Sequence, residues 1–589
     1  MKKKMVMILL AVVLSISLLG CSDAAESVQY SVEHDKNGPD EKNPDGKRES
    51  VLDKYLAGEY GNYEGKESGN SLNGIQIHAN LYANHAVQTD GEAIPELCEE
   101  DASFAYSVPA SKMEAETQIV NWNTEEYRYQ KENSWMSVKT SPFSTFAADV
   151  DTASYANVRR MLTRQQVVPA DAVRIEEMIN YFHYDYAQPK AGEPFSVTTE
   201  MAPCPWNENS RLLMVGLAAK DLDVKEIPNS NLVFLIDVSG SMEGEDRLGL
   251  VQRSFKLLCE TLRPGDRVSI VTYAGSDSIV LEGATGDEKA KICDAIEDLF
   301  ASGGTNGGAG IMSAYRLAEK YFIEGGNNRV ILATDGDLNI GITDEGGLTR
   351  LIQEEAKSGV FLSVLGVGWG NLSDARMEAL ADNGNGNYSY IDSIAEARKV
   401  LIEEMGGTLF TVAKDVKLQV EFNPELVKGY RLIGYENRTM AAEDFANDAK
   451  DGGEIGAGHQ VTALYEVALK DSKQEIPEVA SRYDKQEETN SAMTDEYLTV
   501  NIRYKEPDGD VSKLLVYPVT KANDHEQMSD NLSWAAGVAQ AGMLLKKSEF
   551  AGTSDIKSVL ARMEKIAGAN EDEYKKEFLY LYSRAQIED

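Results

Sequence analysis

The sequence predicts an α/β fold built on a doubly wound, mainly parallel sheet, with a small helical module before it and a β-rich module plus helices after it. Three observations carry this. Between Asn231 and about Gly406 the runs L-V-F-L-I-D (232–237), R-V-S-I-V-T-Y (267–273), R-V-I-L-A-T-D (329–335) and V-F-L-S-V-L-G-V-G (360–368) are apolar almost throughout, as strands buried on both faces are. Segments of helical periodicity separate them, near 247–262, 288–300, 309–322, 347–356 and 373–381, which is the alternation that covers both faces of a parallel sheet. From Thr411 onward the pattern changes to alternation, in V-K-L-Q-V-E-F, H-Q-V-T-A-L-Y-E-V-A-L and Y-L-T-V-N-I-R-Y. That pattern fits an antiparallel set of strands.

In chain order, residues 1–20 read as a secretory signal: Lys2, Lys3 and Lys4, then an apolar run from Met5 to Leu19 that is too short to span a bilayer comfortably. Leu18-Leu19-Gly20-Cys21 resembles the bacterial lipobox, which implies cleavage before Cys21 and acylation of its sulfur. Several acyl chains on one residue anchor a protein stably, so the sequence implies attachment to the membrane of a bacterial cell envelope, on its extracytoplasmic side. Residues 21–140 are Gly/Asn/Glu/Lys-rich and read as a flexible tether, with a root-mean-square reach of about 60 Å. Residues 141–227 form a helical module plus strands. Tyr155, Val158 and Leu162 make one helical stripe; Ile175, Met178, Ile179 and Phe182 make another, with Asp171 as its expected N-cap and Asp151 or Thr152 capping the first. The strand-like F-S-V-T-T-E and L-L-M-V-G-L-A that follow need partners, and the alternating strands beyond Thr411 have edges to cover, so the domain at 228–408 is expected to be an insertion into a β module. That module occupies 409–525, with a hairpin at its D-G dipeptide, and residues 526–589 close the chain as helices.

Charge and cysteine content narrow the function. The chain carries 96 acidic and 58 basic residues, and loss of residues 1–20 removes three lysines and no acid, taking the net charge from −38 to −41. Such a surface repels phosphate backbones, so no nucleic-acid partner is expected. Beyond Cys21, only Cys98, Cys204, Cys259 and Cys293 remain, too few for a disulfide scaffold but enough for one pair outside the cytoplasm. No Cys-x-x-Cys or His-x-x-x-His spacing supports a zinc site.

Three loops follow predicted strands or precede a helix at the end of the sheet where ligands bind: Asp237-Val-Ser239-Gly-Ser241, Gly303-Gly304-Thr305-Asn306 and Thr334-Asp335-Gly336. They offer two carboxylates and three hydroxyls, an all-oxygen set suited to Mg²⁺ or Mn²⁺. On these residues the domain resembles a von Willebrand factor type A (VWA) domain with a complete metal-ion-dependent adhesion site (MIDAS) formed by Asp237, Ser239, Ser241, Thr305 and Asp335. The segments S-T-F-A-A-D-V-D-T-A-S-Y-A-N-V-R-R, D-A-V-R-I-E-E-M-I-N-Y-F and A-G-H-Q-V-T-A-L-Y-E-V resemble modules that flank such domains in a bacterial family, so the resemblance spans about 140–589. It implies that Ser239, Ser241 and Thr305 bind the cation directly, that Asp237 and Asp335 act largely through water, and that an acidic side chain of a protein ligand completes the coordination. It also implies that the last helix, about Ser393 to Met405, can shift with the state of the site.

Rival chemistry has less support. Asp149-Val-Asp151-Thr152 matches the start of a haloacid-dehalogenase-type phosphatase but runs straight into a helical stripe. Gly366-Val-Gly368-Trp-Gly370 lacks a third dinucleotide glycine and reads as a strand-end turn, and Glu243, Glu245 and Asp246 read as a solvated acidic loop before a second cation site. No base, nucleophile or leaving-group acid accompanies the oxygen cluster, so a binding protein is expected, not an enzyme. The leading expectation is a cell-surface lipoprotein that binds a protein ligand through its cation; the alternative is a metal-stabilised scaffold for an envelope or transport assembly.

Overall fold

A computed structural model describes residues 125–148, 151–190, 192–221, 228–304, 307–336, 345–404, 411–448, 450, 452–477, 495–507, 509, 511–553 and 555–585. The signal, Cys21, most of the tether, Asp149, Thr305 and the end of the expected last helix at Met405 lie outside them. The described residues begin with short strands β1 (Met136–Ser137) and β2 (Phe143–Ala147), helices α1 (Ala153–Thr163) and α2 (Ile175–Asn180), and the antiparallel pair β3 (Phe195–Pro203) and β4 (Arg211–Ala219). The two expected caps differ from the structure. Thr152 stands at the N-cap of α1 without a side-chain hydrogen bond, and Asp171 sits in a 3-10 turn ahead of α2. Ser154 supplies the missing acceptor from another helix, its Oγ taking the Arg174 N–H at 2.9 Å just as α2 begins. A hydroxyl buried between two helices serves where a local cap is absent.

The central domain runs β5 (Ser230–Asp237), α3 (Leu248–Thr261), β6 (Arg267–Tyr273), β7 (Asp277–Thr285), α4 (Lys289–Glu297), α5 (Gly307–Lys320), β8 (Asn327–Thr334), α6 (Glu345–Ala356), β9 (Phe361–Val367), α7 (Asp374–Asn383), β10 (Tyr388–Ile391) and α8 (Ile394–Arg398), which continues as a π-helical turn, Lys399–Glu403. Its sheet has the order β10-β9-β8-β5-β6-β7, parallel except for the β7 edge. Every residue of β5 and β8 is buried. One face packs Val233, Leu235, Val330 and Leu332 against α5 and α7; the other packs Leu232, Phe234 and Ile236 against α3 and α4. The expected doubly wound sheet is present, with β7 and β10 as additional edge strands.

After it come β11 (Thr411–Phe422), β12 (Val427–Ile433), β13 (Thr439–Met440), β14 (Gly453–Gly456), β15 (Gln460–Leu469), β16 (Glu496–Lys505) and β17 (Lys513–Thr520), then α9 (Asp530–Lys546), α10 (Ile556–Met563) and α11 (Glu573–Ser583). A five-stranded sheet, β1-β12-β15-β4-β3, faces a second, β13-β2-β11-β16-β17, across a core that includes Leu213, Val215, Tyr465, Leu418, Val420 and Ile502. β4 pairs with β15, Leu213 opposite Tyr465. The strands before the central domain thus complete the β module, and the domain is inserted between β4 and β11. The expected hairpin joins β16 to β17, Tyr504 opposite Lys513.

The outer face of the first sheet buries Leu212, Met214 and Leu464 against α1, α2, α9, α10 and α11, with Phe182, Trp534 and Phe578 in mutual edge contact. The N-terminal helices therefore share one core with the C-terminal ones. Eleven and six residues long, they are too short to bury their apolar stripes against each other alone.

A seam of buried charge joins these layers to the central domain. Arg159 of α1 donates to Asp392 (2.9 Å), Glu396 (2.7 Å) and the Tyr181 hydroxyl (2.6 Å), and Arg174 pairs with Glu177 and Asp374. Arg438 reaches Asp151 and Asp382, each at 3.0 Å. Asp151 also accepts the Tyr388 N–H at 2.9 Å, so it braces the central domain.

Glu176, beside this seam, is buried against Gly434, where a Cβ would stand 2.5 Å from the carboxylate oxygen. Burial first, and then the nearby Glu436, push its carboxyl up to about 7 from an ordinary 4.5. Below pH 4.5 it is protonated folded or unfolded and contributes nothing. Between 4.5 and 7 the unfolded chain ionises first, so stability falls, and above 7 the penalty is constant. Glu176→Gln should raise the melting temperature at pH 8, by an amount equivalent to about 2–3 kcal/mol at most, with the gain vanishing near pH 4. Thermal melts across that range check it.

Candidate functional site

The apolar run of β5 ends at Asp237, whose carboxylate is fully buried. Its Oδ1 accepts the Ser239 N–H at 2.9 Å, and its Oδ2 accepts the hydroxyls of Thr334 at 3.0 Å and Tyr273 at 3.2 Å. These partners come from the carboxyl ends of β5, β8 and β6, so three adjacent strands hold one carboxylate. All are neutral. The next loop residues put Ser239 Oγ and Ser241 Oγ 3.0 Å apart. After β8, Gly336 N–H donates to Thr334 Oγ1 at 3.2 Å, and buried Asp335 accepts Asn371 Nδ2 at 3.0 Å. Gly336 has φ +99° with backbone atoms of residues 371–373 against its Cα, a turn that a side chain would block.

The second loop approaches the first through its backbone: Ser302 N–H donates to Val238 O at 2.7 Å, and Gly240 N–H to Gly303 O at 3.1 Å. Thr305 itself lies outside the described residues. Four of the five expected site residues therefore stand on two loops at one end of the sheet, and the segment leading to the fifth is bonded to them.

Burial, followed by repulsion from Asp335, pushes the Asp237 carboxyl up to about 6, although its hydrogen bonds pull the other way. Two buried carboxylates with adjacent hydroxyls form an all-oxygen donor set, and a divalent cation is the partner that would relieve the repulsion between them. The residues present fit such an ion.

Residues not anticipated from the sequence organise the site. Arg247 donates from Nη1 to Ser241 O at 2.6 Å and from Nη2 to Trp369 O at 2.8 Å, tying the first loop to the one after β9. Its stem lies on Gly368, at φ +75°. Tyr273, Thr334 and Asn371 orient the two aspartates. Thr334 was within reach of sequence reasoning, since it ends an apolar strand next to Asp335; Arg247 and Asn371 were not, because their roles are set by loops brought together from distant strands. Gly366-Val-Gly368-Trp-Gly370 is the expected strand-end turn. In the acidic loop, Glu245 pairs with Arg253, and Asp246 lies 3.9 Å from Arg164.

A six-stranded, mainly parallel sheet with helices on both faces and this loop cluster at its carboxyl ends defines a VWA domain, and the family model for the von Willebrand factor type A domain matches residues 231–403. Models described as von Willebrand factor and as the C-terminal region of the uncharacterized protein YfbK match residues 121–214 and 407–587. The chain is 43% identical over 504 residues to the uncharacterized protein YfbK of Escherichia coli K12, covering 84% of this chain and 86% of that one. It belongs to the YfbK family. It is also 30% identical over 192 residues to the uncharacterized protein sll0103 of Synechocystis, covering 32% of this chain and 44% of that one. Among solved structures, a von Willebrand factor type A protein from Catenulispora acidiphila aligns with a TM-score of 0.37 at 16% identity, covering 67% of this chain and 89% of that one.

Asp237→Asn keeps the shape of the buried group and removes its charge. In chelator-treated protein at pH 7 it should raise stability, by an amount on the order of 2 kcal/mol, while the stabilisation that added Mg²⁺ is expected to give the unsubstituted protein should be lost. Asp237→Ala should instead destabilise, because it orphans the buried hydroxyls of Tyr273 and Thr334. Melting curves with and without Mg²⁺ separate the two.

Proposed function

We propose that this chain is a lipid-anchored, extracytoplasmic binding protein that captures a protein partner through a divalent cation at a MIDAS formed by Asp237, Ser239, Ser241, Thr305 and Asp335. The observation that carries the reading is the convergence of buried Asp237 and Asp335 with the Ser239 and Ser241 hydroxyls at the ligand-binding end of the sheet. A bound Mg²⁺ or Mn²⁺ would supply an acceptor for an acidic side chain from the partner. The chain's own contribution is to hold Asp237 by neutral donors and Asp335 through Asn371, leaving the ion short of direct anionic ligands, and to lock the loops through Arg247. Trp369, 40% exposed and bonded through its carbonyl to Arg247, offers an aromatic contact beside the site.

No helix among the described residues is long and apolar enough to cross a membrane; the proposed attachment is through Cys21. The scaffold reading has one observation in its favour, the buried seam around Arg159, Arg174 and Arg438 that joins the VWA domain to its neighbours.

The deciding experiment is a pull-down from envelope extract with and without chelator, comparing the unsubstituted protein with Thr305→Ala. A partner retained in Mg²⁺, released by chelator and held at least tenfold more weakly by Thr305→Ala supports recognition through the cation. Full retention by the variant in Mg²⁺, or a partner indifferent to chelator, puts the scaffold reading first. For the anchor, Cys21→Ser should move the protein from the detergent phase to the aqueous phase in phase partitioning, or leave it unprocessed; a variant that still partitions as a lipoprotein refutes acylation at Cys21.

A further inference from the structure

We infer that Cys259 and Cys293 form a disulfide that staples α3 to α4 on the outer face of the VWA domain. The two helices run antiparallel in a register that side-chain contacts on both sides of the cysteines define. Toward one end, Gln252 Nε2 donates to the carbonyls of Ile296 (2.9 Å) and Leu299 (3.0 Å), and Lys256 Nζ lies 3.1 Å from Glu297 Oε1. Toward the other, Lys289 Nζ donates to the Glu260 carbonyl. Cys259 and Cys293 fall between these contacts as free thiols, close enough for each to govern the other's ionisation.

Their environments differ in the way a stepwise oxidation needs. Cys259 is fully buried in the domain core and Cys293 is partly exposed at its edge. The neighbouring Cys259, assisted by Lys256 and opposed by burial, Glu260 and Asp294, brings the Cys293 thiol down to about 7, and Cys293 together with burial pushes Cys259 up. Cys293 is then the attacking thiolate. It displaces one thiolate from an external disulfide, such as oxidised glutathione or a protein disulfide, giving a mixed disulfide. Cys259 loses its proton to solvent and attacks the Cys293 sulfur, expelling the second thiolate. Two thiols are oxidised by two electrons, and the external disulfide is reduced to two thiols.

The staple has a place in the architecture of the binding site. α3 begins a few residues after the Ser239–Ser241 loop, and α4 leads into Ser302 and Gly303, whose backbone bonds that same loop. Cross-linking the two helices fixes the supports of two site loops, whether or not a cation is bound.

The test uses the full chain purified under reducing conditions, then incubated with oxidised glutathione and digested without reduction for mass spectrometry. The expected product is a peptide pair joined through Cys259 and Cys293, with both thiols protected from maleimide. In Cys259→Ser the reaction should stop at a glutathione adduct on Cys293. Melting of the oxidised protein should fall by about 5 °C or more on adding a reductant, whereas Cys259→Ser/Cys293→Ser should not respond. A glutathione adduct that persists on Cys293 in the unsubstituted chain, or linkage of Cys293 to Cys98 or Cys204 in place of Cys259, overturns the inference.

Discussion

Burying guanidinium groups against carboxylates at one seam is the constraint on which the rest of this structure depends. Arg159, Arg174 and Arg438 belong to the flanking modules, and Asp374, Asp382, Asp392 and Glu396 belong to the inserted domain. A buried ion pair gains little over an apolar contact of the same shape, but removing one partner strands a charge at a cost of about 3–5 kcal/mol. The seam therefore specifies how the parts fit more than it adds to stability. It leaves the VWA domain little freedom to separate from its neighbours, since each carboxylate would need new solvation or a new partner.

The last helix of the domain is part of that seam. Ser393 caps α8 by accepting the Glu396 N–H at 3.2 Å, Glu396 is held by Arg159 and the Tyr181 hydroxyl, and Tyr574 of α11 donates to Glu403 at 2.7 Å. The helix that ends the domain is gripped by both the first and the last of the described helices. This follows from the insertion: with β3 and β4 on one side of the domain and β11–β17 on the other closing a single sandwich, the flanking helices are brought onto the same face.

The site works against the same background of burial. Asp237 receives three hydrogen bonds, all from neutral donors, and its carboxyl is still pushed upward, because neutral dipoles only partly replace water around a charge. Positions that are costly in this way persist where they serve binding or chemistry. The glycines at 303, 336 and 368, all at positive φ, let the surrounding loops close around the aspartates.

The sequence alone was enough to identify the four inner strands of the parallel sheet, the helices between them, the change to alternating strands after Thr411, and the loops that carry Asp237, Ser239, Ser241 and Asp335. These features are local: continuous apolarity, a 3.6-residue period, and small polar residues at the end of a buried run. The edge strands β7 and β10 were not legible, since β7 exposes Ile279 and Val280 and β10 has four residues, leaving neither a continuous nor an alternating pattern. Nor were Ser154 as the acceptor for α2, Arg247 as the tie between loops, or the arginine seam. Each joins side chains that a local pattern assigns to solvent, over separations as large as the 287 residues between Asp151 and Arg438. Only the folded chain decides such contacts, because whether a charge is buried and what it meets depend on which surfaces close over it.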